Sequence, residues 1–517
     1  PQLSSTSKPK SARSFVNSQV QQREKLDIFH TSFEEPYRVL PLGGISADDM
    51  AFTPVLIKGR TRVVITESDL RDYPGMFLKG TGKKEFRGVF APYPDKEEVF
   101  GGEFKQPMVV RRKDFIAQTG GSRTYPWRVI ILAENDKDLL MNDLVYRLGT
   151  PASGDWSWIK PGISTEEWIC GINLHHVDFK AGLNTASYKY YIDFASRMGM
   201  QYVMLDAGWS DPNDLFSITP AMDLEEIASY SKSRNIGLIF WTLSMTLERQ
   251  LDKALAMFNR LNGKILMTDF MDRDDQKMVN FYHRVAKAAA DNKIMVMFHG
   301  AFKNAGFERT YPNSITREGV LGSEYNIWSD KATPEHDLIL PFTRMVSGPM
   351  DYEPGFMVNV NKQSFRPVAD MLMSMGTRCH QLAMFVAYES PLQLFSGNPS
   401  DALLDETYTR FLGTLPTTWD ETVVLDAKIS DYLLLARRKD NDWYVTAMTD
   451  WTERSLTADL SFLGSGSYSA EICEDGINAR HYGSDYNLRT EAVKASSKLI
   501  IRMSPGGGYV AKIKKIE

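Results

Sequence analysis

The sequence predicts an α/β protein in three parts: an N-terminal β-sandwich (residues 1–150), a central (β/α)8 TIM barrel (151–419) and a small C-terminal antiparallel β-domain (420–517). Three observations predict it. From about residue 168 to beyond 390, short apolar runs alternate with amphipathic helices, the grammar of successive β-α units and a parallel sheet. The stretches before and after consist of β-branched segments split by Gly, Pro, Asn and Asp. No GxGxxG turn supports an open doubly wound sheet, so the long run of units favours a closed barrel.

Taken in order, the chain opens with a polar, basic stretch (SSTSKPKSARSF), read as a processed or trimmed start with residues 1–30 partly disordered. VLIKGRTRVVITES, EEVF, MVVRR and WRVIILA then supply strands of the first β-region. A Gly/Pro/Trp-rich connector, LGTPASGDWSWIKPG, sets a boundary near residue 150, and the barrel pattern is expected to begin at WICGIN. YVMLD (202–206), IGLIFW (236–241), KILMTD (264–269) and KIMVMFH (293–299) are apolar throughout, as strands covered on both faces must be. Between them Leu224/Ile227/Ala228, Leu251/Ala254/Leu255/Phe258 and Met278/Phe281/Tyr282/Val285 mark helical stripes of 3.6-residue period. After residue 420, DYLLLARRKDNDWYVTAMTD, LTADLSFL, YSAEICEDG and SKLIIRM alternate apolar and polar residues as antiparallel strands do.

Composition removes several functions. Sixty Lys and Arg against 65 Asp and Glu give a net charge of -5, which disfavours nucleic-acid partners. The chain has no apolar run of about 18 residues, the length that a membrane-spanning helix needs. Cys170, Cys379 and Cys473 lack the spacing of a disulfide framework or a zinc site. GxSxG is absent, and GTGKKE lacks the spacing and the Ser/Thr of a phosphate-binding loop.

In a parallel barrel the chemistry collects at the C-terminal strand ends, so polar residues closing apolar runs are the candidates: Asp206, Trp241, Asp269 and His299. A carboxylate there is costly unless bonded or used, and capping the next helix is the competing role. In DFMDRDDQ only Asp269 has strand-end placement; most of Asp272, Asp274 and Asp275 are expected to cap the next helix or pair with Arg273. TREGVLGSEYNIW sets Glu318 and Glu324 six residues apart, with two glycines between them free to aim both carboxyls at one point. The alternative for that loop is two solvated acids. Paired carboxyls with Trp156, Trp158, Trp209, Trp241 and Trp328 as stacking surfaces suggest glycoside hydrolysis, which needs one carboxyl for the leaving oxygen and another for the anomeric carbon.

From about Leu40 to the C-terminus the sequence resembles glycoside hydrolase family 97, in AFTPVLIKGRTRVVITESDLRDYPGM, YKYYIDFASRMGMQYVMLDAGWS, DFMDRDDQ, RTYPNSITREGVLGSEYN and HDLILPFTRMVSGPMDYEPG. The resemblance implies the same three-part fold. Inverting, α-glucosidase-like members carry a Glu directly after the strand-end His, where this chain has Gly300. Retaining, α-galactosidase-like members place an Asp nucleophile ahead of the FMDRDDQ-like helix, where this chain has Asp269.

The resemblance therefore implies a retaining exo-glycosidase with Asp269 as nucleophile and Glu324 as acid/base. Asp206, Trp241 and His299 would bind the sugar, and Glu67, Glu318 and Glu324 would hold a calcium ion. Met267, Ser244 and Met245 depart from the retaining pattern, which leaves terminal α-galactosyl or β-L-arabinopyranosyl residues as the expected glycone. An inverting calcium-dependent α-glucosidase and a non-catalytic sugar-binding relative are the alternatives. Partners are oligosaccharide or aryl glycosides, with neither nucleic acid nor membrane, and family habit implies a periplasmic or secreted location.

Overall fold

The structure, a computed structural model, describes residues 2–7, 27–41, 50–369 and 371–516. The expected disorder of residues 1–30 lies largely outside the described residues. At the centre seven parallel strands run, in spatial order, Ser314–Arg317, Met295–Phe298, Gly263–Asp269, Gly237–Leu243, Tyr202–Leu205, Gly162–Thr165 and Leu392–Phe395. The gap between the first and last of these is spanned by an irregular segment around Met350–Pro354. Asp351 N donates to Arg317 O (3.0 Å) on one side, and Ser396 N donates to Pro354 O (3.1 Å) on the other. The barrel is thus closed by seven strands and one irregular stave.

Alternation of side chains across the strands produces two cores. Met204, Ile239, Ile265, Met267, Met295, Met297, Leu392 and Leu394 fill the interior, while Val203, Leu205, Leu238, Phe240, Leu266 and Val296 face the surrounding helices. The helical stripes read from sequence meet that outer face: Ala254, Leu255 and Phe258 on the helix Ser244–Arg260, and Met278, Phe281, Tyr282 and Val285 on Gln276–Asp291. Asp275 caps the latter by accepting Met278 N at 3.1 Å, worth about 1 kcal/mol. One expectation fails locally. The first barrel strand is Gly162–Thr165, and WICGIN folds as turns, because Ile172 and Gly171 take positive φ and Glu166 accepts the amides of Trp168 and Ile169.

Before the barrel, an antiparallel sheet includes Met50–Lys58, Arg62–Ser68, Met76–Gly80 and Trp127–Ala133, with a separate hairpin of Pro94–Phe100 and Gln106–Arg112. After it, a six-stranded antiparallel sheet and a two-stranded one enclose a core with Leu434, Val445, Ala447, Ile472, Ile501 and Ile513. The thiols of Cys379 and Cys473, far apart in sequence, lie buried 3.8 Å from each other where the helix Arg378–Ala387 meets that sheet.

Candidate active site

Acidic side chains gather at the C-terminal ends of the barrel strands. Glu166 and Glu167 follow the strand ending at Thr165, Asp206 follows Leu205, Asp269 ends its own strand, His299 follows Phe298 and Glu318 follows Arg317. Asp351 and Glu353 come from the irregular stave, and Glu324 from the short 3-10 helix Ser323–Ile327.

Asp269 is half-buried and held at both oxygens. Trp241 Nε1 donates to Oδ2 (3.1 Å) and Phe270 N donates to Oδ1 (2.5 Å). Burial raises its pKa, against the pull of the nearby His299 and of these donors. Behind it lies Gly300, at φ +53°, where a Cβ would fall 2.9 Å from Asp269 Oδ1. The nucleophile candidate and a side chain at position 300 therefore compete for one space.

Glu34, Glu318 and Glu324 bring carboxylate oxygens within 4.8 Å of one another. Burial pushes Glu318 and Glu324 well above the usual carboxylate range; Glu34 adds to it at Glu318, and Glu353 and Glu34 add to it at Glu324. A second group, His299, Asp351 and Glu353, adjoins the first. His299 Nε2 lies 3.1 Å from Asp351 and 3.4 Å from Glu353, and Nδ1 lies 3.3 Å from Glu318. Burial works against an imidazolium there, but Glu318, Asp351 and Glu353 outweigh it and raise the His299 pKa well above its ordinary value. Burial and neighbouring acids also push Asp206 and Glu353 up to about 7. Glu167 orients Asp206 by accepting its backbone N–H at 2.7 Å.

The loops carrying these acids are fixed from below by Arg344. Its buried guanidinium donates to the carbonyls of Arg317 (3.0 Å), Glu318 (2.6 Å), Gly319 (3.1 Å), Gly348 (3.1 Å) and Pro349 (3.2 Å). One side chain thereby sets the distance between the Glu318 loop and the Asp351 stave. Fixed dipoles and charges of this kind cost no reorganisation when a reaction begins.

The structure brings Asp206, Trp241, Asp269, His299, Glu318 and Glu324 to one end of the barrel, but Glu67 has other partners. Its carboxylate is wholly buried and accepts from Lys303 Nζ (2.6 Å), Met76 N (2.8 Å) and Arg128 Nη1 (2.5 Å). Burial opposes its charge, yet Lys303 and Arg128 prevail and hold its pKa low. Among the described residues the acid that joins Glu318 and Glu324 is Glu34, whose carboxylate also receives Tyr325 OH at 3.2 Å. The structure thus sets Glu34, and not the expected Glu67, beside Glu318 and Glu324. Trp209 is also reassigned: fully buried, it donates to Trp241 O (2.9 Å) and offers no face to a sugar. Of the acids beside Asp269, Asp275 caps its helix and pairs with Arg273 (3.3 Å), as expected.

Sequence reasoning missed Glu34, Asp351, Glu353, Glu166 and Glu167. The last two had a signal, since STEEW puts paired acids directly after a short strand; the stave PMDYEP has no apolar run to announce it.

A barrel whose strand ends gather several buried carboxyls, one held by two donors and others raised in pKa by burial and neighbouring acids, has the groups that glycoside hydrolysis needs. Glycoside hydrolase 97 matches residues 167–320, its N-terminal part (Glycosyl-hydrolase 97 N-terminal) residues 12–151, and its C-terminal part (Glycosyl-hydrolase 97 C-terminal, oligomerisation) residues 418–514. The sequence is 40% identical over 495 residues to a retaining alpha-galactosidase of Bacteroides thetaiotaomicron, covering 94% of this chain and 75% of that one. A probable retaining alpha-galactosidase of Streptomyces bingchenggensis is 30% identical over 403 residues, 76% of this chain and 58% of that one. A glycoside hydrolase family 97 enzyme from Pseudoalteromonas sp. strain K8, solved with acarbose, superposes with a TM-score of 0.81 at 30% identity, covering 94% and 77%. The chain belongs to glycoside hydrolase family 97, on its alpha-galactosidase-like branch.

Proposed function

We propose that the protein is a retaining exo-glycosidase that removes terminal α-galactosyl or β-L-arabinopyranosyl residues. The observation that carries this reading is the packing of Gly300 against Asp269: no side chain extends from position 300 to activate water, and Asp269 stands as the strand-end carboxyl. Asp269 attacks the anomeric carbon while Glu324 gives its proton to the departing oxygen. Glu324, now a carboxylate, takes a proton from water, which displaces Asp269 and leaves the configuration unchanged. Trp241 and Phe270 hold Asp269 in line throughout. Asp206, His299, Asp351 and Glu353 meet the sugar hydroxyls.

Glu34 and Glu318 offer the carboxylate oxygens that suit calcium, with Glu324 within 4.8 Å of both but at the edge of that shell, where it keeps the proton it must give. A bound calcium ion would offset their mutual repulsion and orient sugar hydroxyls. A periplasmic or secreted location accompanies this reading and is checked by cell fractionation; among the described residues no helix is long and apolar enough to cross a membrane.

The mechanism is tested with Asp269→Gly. Turnover of an aryl α-galactoside should vanish and return with azide as a β-galactosyl azide. Full activity in that variant would remove Asp269 from the chemistry.

A further inference from the structure

The hairpin Pro94–Phe100/Gln106–Arg112 sends its connecting residues 101–105 onto the barrel mouth. Gly102, Glu103 and Lys105 are exposed there, but Phe104 turns inward and is half-buried. Its ring stacks on Phe270 at 5.4 Å and 14°, and meets Trp241 edge-on at 5.6 Å and 71°. Those are the two residues that donate to the two oxygens of Asp269.

The hairpin is also anchored to the segment that follows Asp269. Glu97 pairs with the buried Arg273 (2.7 Å) and with Lys277, Arg273 donates to Pro107 O (3.2 Å), and Arg112 reaches Asp275 (3.4 Å). Arg273 and Asp275, barrel-side partners in these pairs, are buried, and charge-assisted hydrogen bonds there hold geometry well, so Phe104 stands in a fixed relation to Asp269.

We propose that Phe104 is a specificity-determining residue of the glycone pocket, forming with Phe270 and Trp241 an aromatic corner beside Asp269 that takes the apolar C3–C6 edge of a galactopyranosyl ring. The axial O4 of galactose leaves the C–H bonds of C3, C4 and C5, and the C6 carbon, on one apolar patch suited to aromatic faces. β-L-Arabinopyranose has the same ring without C6 and offers a smaller patch. The inference rests on the retaining α-galactosidase reading and adds to it a feature that selects between its two glycones.

The test compares kcat/KM for an aryl α-galactoside and an aryl β-L-arabinopyranoside with the same leaving group, in the unsubstituted chain, Phe104→Leu and Phe104→Ala, alongside each variant's Tm. Phe104→Ala should lose about tenfold on the galactoside and under about threefold on the arabinopyranoside, with Phe104→Leu between. A galactoside-cleaving enzyme in which both substrates lose by the same factor, or neither loses, overturns the assignment of Phe104 alone. An unsubstituted chain that cleaves neither glycoside overturns the functional reading and this assignment with it.

Discussion

The Asp269 corner of the pocket and the Glu324 corner are built from the same chemical group and differ in what surrounds it. Asp269 receives a hydrogen bond at each oxygen, from Trp241 and from its neighbour's backbone, and with His299 these pull toward the anion that the proposed attack needs, against the burial that raises its pKa. Glu324 lies among Glu353, Glu34 and Asp269, and burial with those like charges favours the neutral acid that the proposed protonation needs. Burial alone does not separate the two roles. Glu67 makes that plain, since it is as buried as any of them and is held ionised by Lys303 and Arg128. The partners of a buried carboxyl, more than its depth, decide whether it attacks, protonates or braces the fold.

The sharpest way to break the contrast is to remove each carboxyl in turn. Asp269→Ala should abolish turnover of every glycoside. Glu324→Gln should cost about 10²–10⁴-fold on substrates with poor leaving groups and little on a glycosyl fluoride, whose departure needs no proton. Equal losses on both substrates in the Glu324 variant would remove the acid role.

Next in size is Gly300→Glu. Position 300 has φ +53° and a Cβ there would press on Asp269 Oδ1, so the variant should lose about 10²-fold in kcat through displacement of Asp269. A variant that instead hydrolyses with inversion would show that a base at this position can replace the attack by Asp269.

A third comparison separates Glu34 from Glu67. By calorimetric titration, Glu34→Gln should weaken calcium binding at least about tenfold. Glu67→Gln should leave calcium affinity unchanged and destabilise the fold by about 3 kcal/mol, because Lys303 and Arg128 lose a buried partner. The reverse pattern would restore Glu67 to the metal site.

The smallest effect concerns pH. Asp206, pushed up to about 7 by burial and neighbouring acids, binds its proton more tightly folded than unfolded. Its contribution to stability is therefore complete below pH about 4 and is lost as pH rises through about 7. Asp206→Asn should gain about 1–2 °C in Tm over the unsubstituted chain between pH 5 and 8, and a gap that does not change with pH would contradict the shift.

Much of this arrangement is legible in the sequence, for physical reasons that also set the limit. Strands buried on both faces must be apolar throughout, so YVMLD, KILMTD and KIMVMFH declare themselves and point to Asp206, Asp269 and His299. The stave carrying Asp351 and Glu353 is held by a few backbone hydrogen bonds and has no apolar run to mark it. Glu34 reaches Glu318 only through the docking of a distant segment onto the barrel mouth, which no local pattern encodes. Glu67 lies next to last in its strand, much as Asp269 closes its own, and only the approach of Lys303 and Arg128 shows which partners its carboxylate takes.

The most direct test of the central claim is proton NMR of the anomeric signals during early hydrolysis of an aryl α-galactoside with calcium present. First-formed α-galactose is the predicted result and would establish retention, the outcome that attack by Asp269 with Glu324 as acid/base requires. First-formed β-galactose would mean inversion and would contradict the account.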